Sequence, residues 1–307
     1  MLSLLGLVGL ALGALALAPG WGRVGDGAEA DDDRIDGEEP DTIRIDLDGA
    51  GMEDHGPPEP DGAAGPGPQG GDGADILFGT DRDDMIDGRD GADFLDGGGG
   101  DDRMEGGRGD DALHGVAGDD RLGGGPGDDL LAGHGGDDDL DGGEGDDSLW
   151  GGEGDDTLRG GDGTDALLGG AGDDRLTGGA GEDAMQGGYG DDILDGREDA
   201  RQERDALNGG DGDDRLLAGA GDHLHGGAGA DRFGLSLPHM TGGPAVIEDF
   251  DPREDVLLVL HAPGATPPVL AWQAGPEGAV LLADGRAVAL LRGVASVDPG
   301  AVRLEAG

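Results

Sequence analysis

The nine-residue phrase GGEGDDSLW, Gly142 to Trp150, is followed at once by GGEGDDTLR, Gly151 to Arg159. A helix repeats near 3.6 residues and a simple strand near 2, so neither generates a period of nine by itself. A ruler of this kind requires a coil in which each unit takes the same place as the last. Cutting the sequence in nines from Gly70 gives fourteen unbroken units that end at Asp195. A thirteen-residue unit follows, GREDARQERDALN, whose four extra residues precede Asp205 and read as a loop bulging from the stack. GGDGDDRLL, the shortened AGAGDHLH and GGAGADRFG then close the array at Gly234.

The sixth place of every full unit is aspartate, and Asp222 serves the shortened one. The eighth place is apolar throughout, from Leu77 and Ile86 to Phe233, while the seventh and ninth mix Arg, Asp, Ala, Thr and His. Only the eighth therefore reads as buried, and three residues with the middle one inward make a minimal strand. The six residues ahead of it read as turn, where glycine reaches backbone conformations closed to other residues and lets successive carbonyls aim at one point. Clustered carbonyl and carboxylate oxygens, with no nitrogen or sulfur, suit calcium better than magnesium, which keeps its waters. If two units complete one coil, strands on one side stack about 4.8 Å apart. An ion with oxygen ligands at about 2.4 Å on both sides spans that gap.

The pattern GGxGxDxUx, with U apolar, resembles the RTX or hemolysin-type calcium-binding repeat, and the resemblance covers Gly70 to Gly234. It implies an all-β chain coiled into a right-handed parallel β-roll, with ions between the turns on both edges. It implies Ca2+ ligation by each sixth-place carboxylate: Asp75, Asp84, Asp93, Asp102, Asp111, Asp120, Asp129, Asp138, Asp147, Asp156, Asp165, Asp174, Asp183, Asp192, Asp205, Asp214 and Asp231. Carbonyl ligands would come from the backbone of Gly97, Gly106, Gly142, Gly145, Gly151, Gly154, Gly160, Gly163, Gly169, Gly172, Gly178 and Gly181. Units beginning Gly79-Thr80, Gly88-Arg89 and Gly115-Val116 depart at the second glycine, and the inserted and shortened units depart in length, so weaker sites are expected there. The resemblance also implies export through a type I secretion apparatus and folding in external calcium. The segment IEDFDPREDVLLV is similar to the one that follows such arrays in secreted proteins.

Composition agrees with a need for cations. The 307 residues carry 70 acidic and 19 basic side chains, all of the latter arginine, for a formal charge of -51. That sign excludes a nucleic-acid partner, which needs a basic footprint. There is no cysteine, so neither disulfides nor thiolate metal sites hold the chain. One inward side chain per unit cannot offset the entropy of ordering nine residues, and the carboxylates repel one another. The array is therefore expected to be disordered without calcium and to fold when the ion binds. Two other readings stay open: an accessory module of an RTX enzyme that binds a substrate such as an acidic polysaccharide, and a disordered polyanion that buffers cations.

Outside the array, residues 1–18 are uncharged and apolar, which fits either a cleaved export signal or a retained membrane anchor. Residues 19–69 are rich in Asp, Glu, Gly and Pro and read as an extended linker. Residues 235–307 hold β-rich runs broken by turns, with Asp284-Gly285 as a hairpin signal, and read as a β cap carrying an export region. An extracellular or cell-surface location is expected. Catalysis is not: no HExxH is present, and Ser3, Ser148, Ser236 and Ser296 lie in no GxSxG elbow. His223 and His225 flank Leu224 and fit a solvated surface better than a transition-metal pair. Trp150 and Tyr189 read as outward packing residues, with a carbohydrate contact left open.

Overall fold

The computed structural model describes residues 67–197, 203–240 and 242–306. The expectations for the apolar segment 1–18 and for residues 19–66 lie outside the described residues. Successive units alternate between two parallel sheets, one of 13 strands and one of 11. Each strand pairs with the strand two units on. In the smaller sheet Thr157 is opposite Arg175 and Leu158 opposite Leu176. In the larger, Ala166 is opposite Ala184 and Leu167 opposite Met185. Nine residues are thus half a coil and eighteen a full one. Across the inserted unit the pairing Ala184 to Ala206 holds the same geometry, so the extra residues do not shift the ladder.

The eighth-place side chains form two facing columns that fill the space between the sheets. Leu95, Leu113, Leu131, Leu149, Leu167 and Met185 line one wall; Met104, Leu122, Leu140, Leu158 and Leu176 line the other; all are buried. Parallel stacking puts identical side chains one above another, so a single apolar position per unit becomes a continuous core. Most strands are longer than the three residues read from the sequence, though Ile76–Phe78, Phe94–Asp96 and Ala112–His114 are three. Thr157–Asp162, for example, spans six residues and includes both opening glycines of the next unit. Its alternation continues, so that Gly160 faces inward like Leu158. The pairing carries the strand through the glycines because their backbone groups still find partners in the next coil, as Gly161 does opposite Gly179.

The second glycine lies in the left-handed region, with φ of 117° at Gly143 and 123° at Gly161. Arg89, Val116 and His134 occupy the same place at φ of 80°, 86° and 78°. An L-residue pays a steric penalty there because its Cβ approaches the carbonyl oxygen. For β-branched Val116 the strain is greatest.

The array passes directly into its cap. The larger sheet continues through Ala245–Ile247 to Arg286–Arg292, then turns antiparallel through Gly278–Ala283 and Leu270–Ala274. The smaller sheet ends with Val256–His261 and Val302–Ala306. Asp284 and Gly285 both have positive φ, 49° and 81°, as a two-residue hairpin turn of the type I′ class requires. Phe233, the last inward residue of the array, meets Phe250 of the cap with ring centroids 5.8 Å apart. No helix among the described residues is long and apolar enough to cross a membrane.

Two substitutions test this packing in calcium-loaded protein. Leu158→Ala removes a fully buried core side chain and is expected to cost about 2–5 kcal/mol. Val116→Gly relieves a strained backbone and is expected to add about 1 kcal/mol. Urea unfolding followed by circular dichroism reads both, and a neutral Leu158→Ala would contradict the core described.

Candidate metal centre

The sixth-place aspartates come together as two columns, one at each edge of the roll where a turn enters a sheet. Within a column each carboxylate Oδ1 accepts the backbone N–H of the aspartate one coil earlier. The first column runs Asp75, Asp93, Asp111, Asp129, Asp147, Asp165, Asp183, Asp205 and Asp222. The second runs Asp84, Asp102, Asp120, Asp138, Asp156, Asp174, Asp192, Asp214, Asp231 and Asp255. Most of these bonds are 2.8–2.9 Å long, and the bond from Asp205 to Asp222, at the shortened unit, is 3.3 Å. The fifth-place aspartates make a parallel, solvent-exposed ladder in the opposite sense, as Asp146 N–H donates to Asp128 Oδ1.

The other carboxylate oxygen is left over. In Asp93, Asp102, Asp111, Asp120, Asp129, Asp138, Asp147, Asp156, Asp165, Asp174, Asp183, Asp192 and Asp214, Oδ2 is buried and accepts no hydrogen bond. Buried polar oxygens are nearly always paired, so thirteen orphans in one repeated place mark a missing partner. The surroundings say what kind. A methyl group built on Gly142 would strike Asp147 Oδ2 and lie 2.6 Å from the Gly160 carbonyl oxygen. Built on Gly160, it would strike Asp165 Oδ2 and lie 2.5 Å from the Gly178 carbonyl oxygen. The first glycine is thus packed directly against a carboxylate Oδ2 and a facing carbonyl oxygen, in space that no Cβ could share. The carbonyls of first-place Gly97, Gly106, Gly142, Gly160 and Gly178 lie against the first glycine of the coil before. The fourth-place glycines are placed differently: the nearest atoms to Gly145, Gly154, Gly163, Gly172 and Gly181 are the fourth-place carbonyls one coil earlier. Gly151 and Gly169 are first-place residues against Asp156 and Asp174.

An unshared carboxylate oxygen beside a facing carbonyl oxygen fits a hard divalent cation. Among the described residues no three His, Asp or Glu side chains converge. A calcium ion there would draw its further ligands from carbonyl oxygens and water, and magnesium's stricter octahedron would fit less well.

Column ends are built differently. Asp75 Oδ2 accepts the Gly71 N–H at 2.6 Å, and Asp84 Oδ2 accepts the Thr80 N–H at 2.7 Å. Asp222 Oδ2 accepts the Gly219 N–H at 2.6 Å and Asp255 Oδ2 the Asp251 N–H at 2.7 Å. At all four ends the turn's own backbone replaces what the interior lacks. Asp255 was not legible as part of the array because the repeat has dissolved by DFDPRED; its Asp at the end of a tight turn was the available signal. The histidines proposed as surface residues behave so: His225 Nδ1 lies 3.0 Å from Asp249 and His223 Nδ1 3.6 Å from Glu248.

Burial raises the pKa of these groups. Desolvation is the first cause throughout, opposed by the N–H bond from the earlier coil and reinforced by neighbouring carboxylates. Asp102, Asp111, Asp129, Asp138 and Asp147 are pushed up to about 6. Asp120, Asp156, Asp165 and Asp214 reach about 7, and Asp192 about 8.

The ion-free fold therefore binds more protons than the unfolded chain between the ordinary value of 3.8 and about 6 to 8. Its stability falls as pH rises through that interval. In chelator, β circular dichroism is expected to be stronger at pH 4 than at pH 8. Calcium should reverse the order, because it needs the ionised carboxylates. A chelated sample whose β signal rises with pH would contradict this. Replacing Asp147 and Asp165 together by Asn gives a complementary test. Each amide can accept at Oδ1 and donate from Nδ2 toward the facing carbonyl. The doubly substituted chain should be more ordered than the parent in chelator and less responsive to calcium, by titration calorimetry.

Comparison with known sequences agrees with this geometry. The profile described as "RTX calcium-binding nonapeptide repeat (4 copies)" matches residues 69–104, 96–131, 105–140, 132–167, 168–202, 199–222 and 208–233. Together these matches span more than half of the chain. No curated protein matches it. Among solved structures, the solution structure of the AlgE6R3 subunit from the Azotobacter vinelandii mannuronan C5-epimerase is 24% identical, covering 52% of this chain and 78% of that one. Its TM-score of 0.24 is too low for the two to be compared site by site. With the repeat matched from end to end of the roll, the chain belongs to the family of RTX calcium-binding nonapeptide-repeat proteins.

Proposed function

We propose that this chain is a non-catalytic module that binds calcium between its coils and folds because it binds. RTX repeats bind Ca2+ generally, and proteins that carry them are typically secreted. The observation that supports this reading here is the set of thirteen buried, unshared carboxylate oxygens. Ionised and unpartnered, they oppose folding; bridged by cations, they hold coil to coil. Binding free energy is then folding free energy. The interior aspartates from Asp93 to Asp214 are the ligands, with first-place carbonyls as their partners. Asp75, Asp84, Asp222 and Asp255 close the columns with backbone N–H groups and need no ion. Low calcium inside a cell keeps the array open for export through a type I apparatus, and external calcium folds it at the surface or beyond. The chemistry of the array is ligation: its carboxylates are spaced by the coil, not paired about a substrate cleft.

Small-angle scattering and far-ultraviolet circular dichroism during a calcium titration test the proposal. Calcium should shrink the radius and raise the β signal cooperatively, and magnesium at the same concentration should do much less. A chelated sample as compact as the loaded one would sink it. A chain that binds calcium yet stays expanded would instead be the disordered buffer.

A further inference from the structure

The two outer faces of the roll differ in charge although the chain as a whole carries -51. The smaller sheet turns Arg103, Arg121, Arg159, Arg175, Arg215 and Arg232 outward among carboxylates. On the larger sheet the seventh places run in register from Ile76 through Phe94 and Leu130 to Ala206 and His223 without a carboxylate or an arginine. In its ninth-place column, from Phe78 to His225, Asp96 is the one carboxylate. A strip of this length with a single carboxylate, on a polyanion, marks an interaction surface.

A groove of about 830 Å³ runs along that strip, crossing five strands from Trp150 to His225. Five strands make four spacings, roughly 19 Å along the axis. Its floor is the column of second-place glycines from Gly152 to Gly227, where a Cβ would strike the carbonyl of the coil before. The floor is therefore bare backbone, flat and continuous. Trp150, Gln186, Asn208 and His225 form one wall, and Tyr189 stands on the other. His134 meets Trp150 edge to face, with centroids 5.1 Å apart, and fixes the indole. Tyr189 is 68% exposed.

We propose that this groove binds an uncharged, linear oligosaccharide laid along the axis of the roll. The inference rests on the calcium-folded reading above, since the groove exists only when the coils stack. A sugar ring has an apolar C–H face and a rim of hydroxyls. The indole and phenol rings match the first. Gln186 and Asn208, each both donor and acceptor, match the second. The flat floor admits an unbranched chain and offers no deep pocket to anchor a peptide side chain. Charge selects the glycan class: no arginine among the described residues lines the groove, Asp249 is paired with His225, and Asp211 is the other carboxylate. An anionic chain meets only repulsion here.

Isothermal titration calorimetry of the full chain in calcium, against cellohexaose and the hexamer of N-acetylglucosamine, tests the proposal. Saturable binding of at least one is expected. Trp150→Ala should weaken it about tenfold or more, whereas Trp272→Ala, on the cap hairpin, should leave it unchanged. Both variants should keep the calcium-induced β signal. No binding of either sugar, an unaffected Trp150→Ala, or equal or tighter binding of an oligoguluronate or a proline-rich peptide would overturn the assignment. If calcium raises no β signal in the parent chain, the calcium reading fails and the groove falls with it. If the signal rises and no sugar binds, only the groove assignment fails.

Discussion

One carboxylate per half coil does two things in this fold. Its Oδ1 accepts an N–H from the coil before and so fixes the register of the stack, as Asp165 does for Asp147 at 2.8 Å. Its Oδ2 is left buried against a first-place glycine and a facing carbonyl. The first role alone would favour an asparagine, which could satisfy both partners without a charge. At thirteen interior sixth places the aspartate instead leaves its second oxygen buried without a partner. Register and the unshared oxygen thus belong to the same side chain.

Glycine's place in the unit follows from that carboxylate. The first glycine faces inward in a strand, where another residue would ordinarily add a core side chain. It is glycine because Asp Oδ2 and a neighbouring carbonyl already hold the space a Cβ would take. The core consequently shrinks to one column of apolar residues per sheet along the array and runs on into the cap, where Phe233 meets Phe250. A core so narrow leaves the edges to hold coil to coil as well, through the Asp Oδ1 bonds. The N–H closures at Asp75, Asp84, Asp222 and Asp255 show the same logic in reverse. Where a column ends, the last turn supplies its own donor.

The demands of core and edges leave the outward places free to vary. On one sheet they are filled with arginines and carboxylates, on the other with aromatic, aliphatic and amide side chains. Both patterns also tie neighbouring coils together, as the Arg159–Asp139 ion pair and the ring contact of His134 with Trp150 do. Flat glycine floors are a by-product of the coil that such a face can use.

The repeat alone determined much of this. A constant Asp and a constant apolar residue at fixed spacing specify an inward column and an acidic edge, because any coil of that period superposes them. Leu158 and Asp147 were legible for that reason, as was the Asp284-Gly285 hairpin, whose turn chemistry is local. Other features required the third dimension. That strands run on through the opening glycines depends on partners in the neighbouring coil, as Gly161 opposite Gly179 shows. That Asp255 completes a column begun at Asp84 depends on how the cap docks, across 24 residues from Asp231 with no repeat to count by. Which residues share an outer face depends on the alternation of units between two sheets, so Trp150, Gln186 and Tyr189 meet only after folding. The sequence sets what repeats; contacts between coils decide what the repeats bring together.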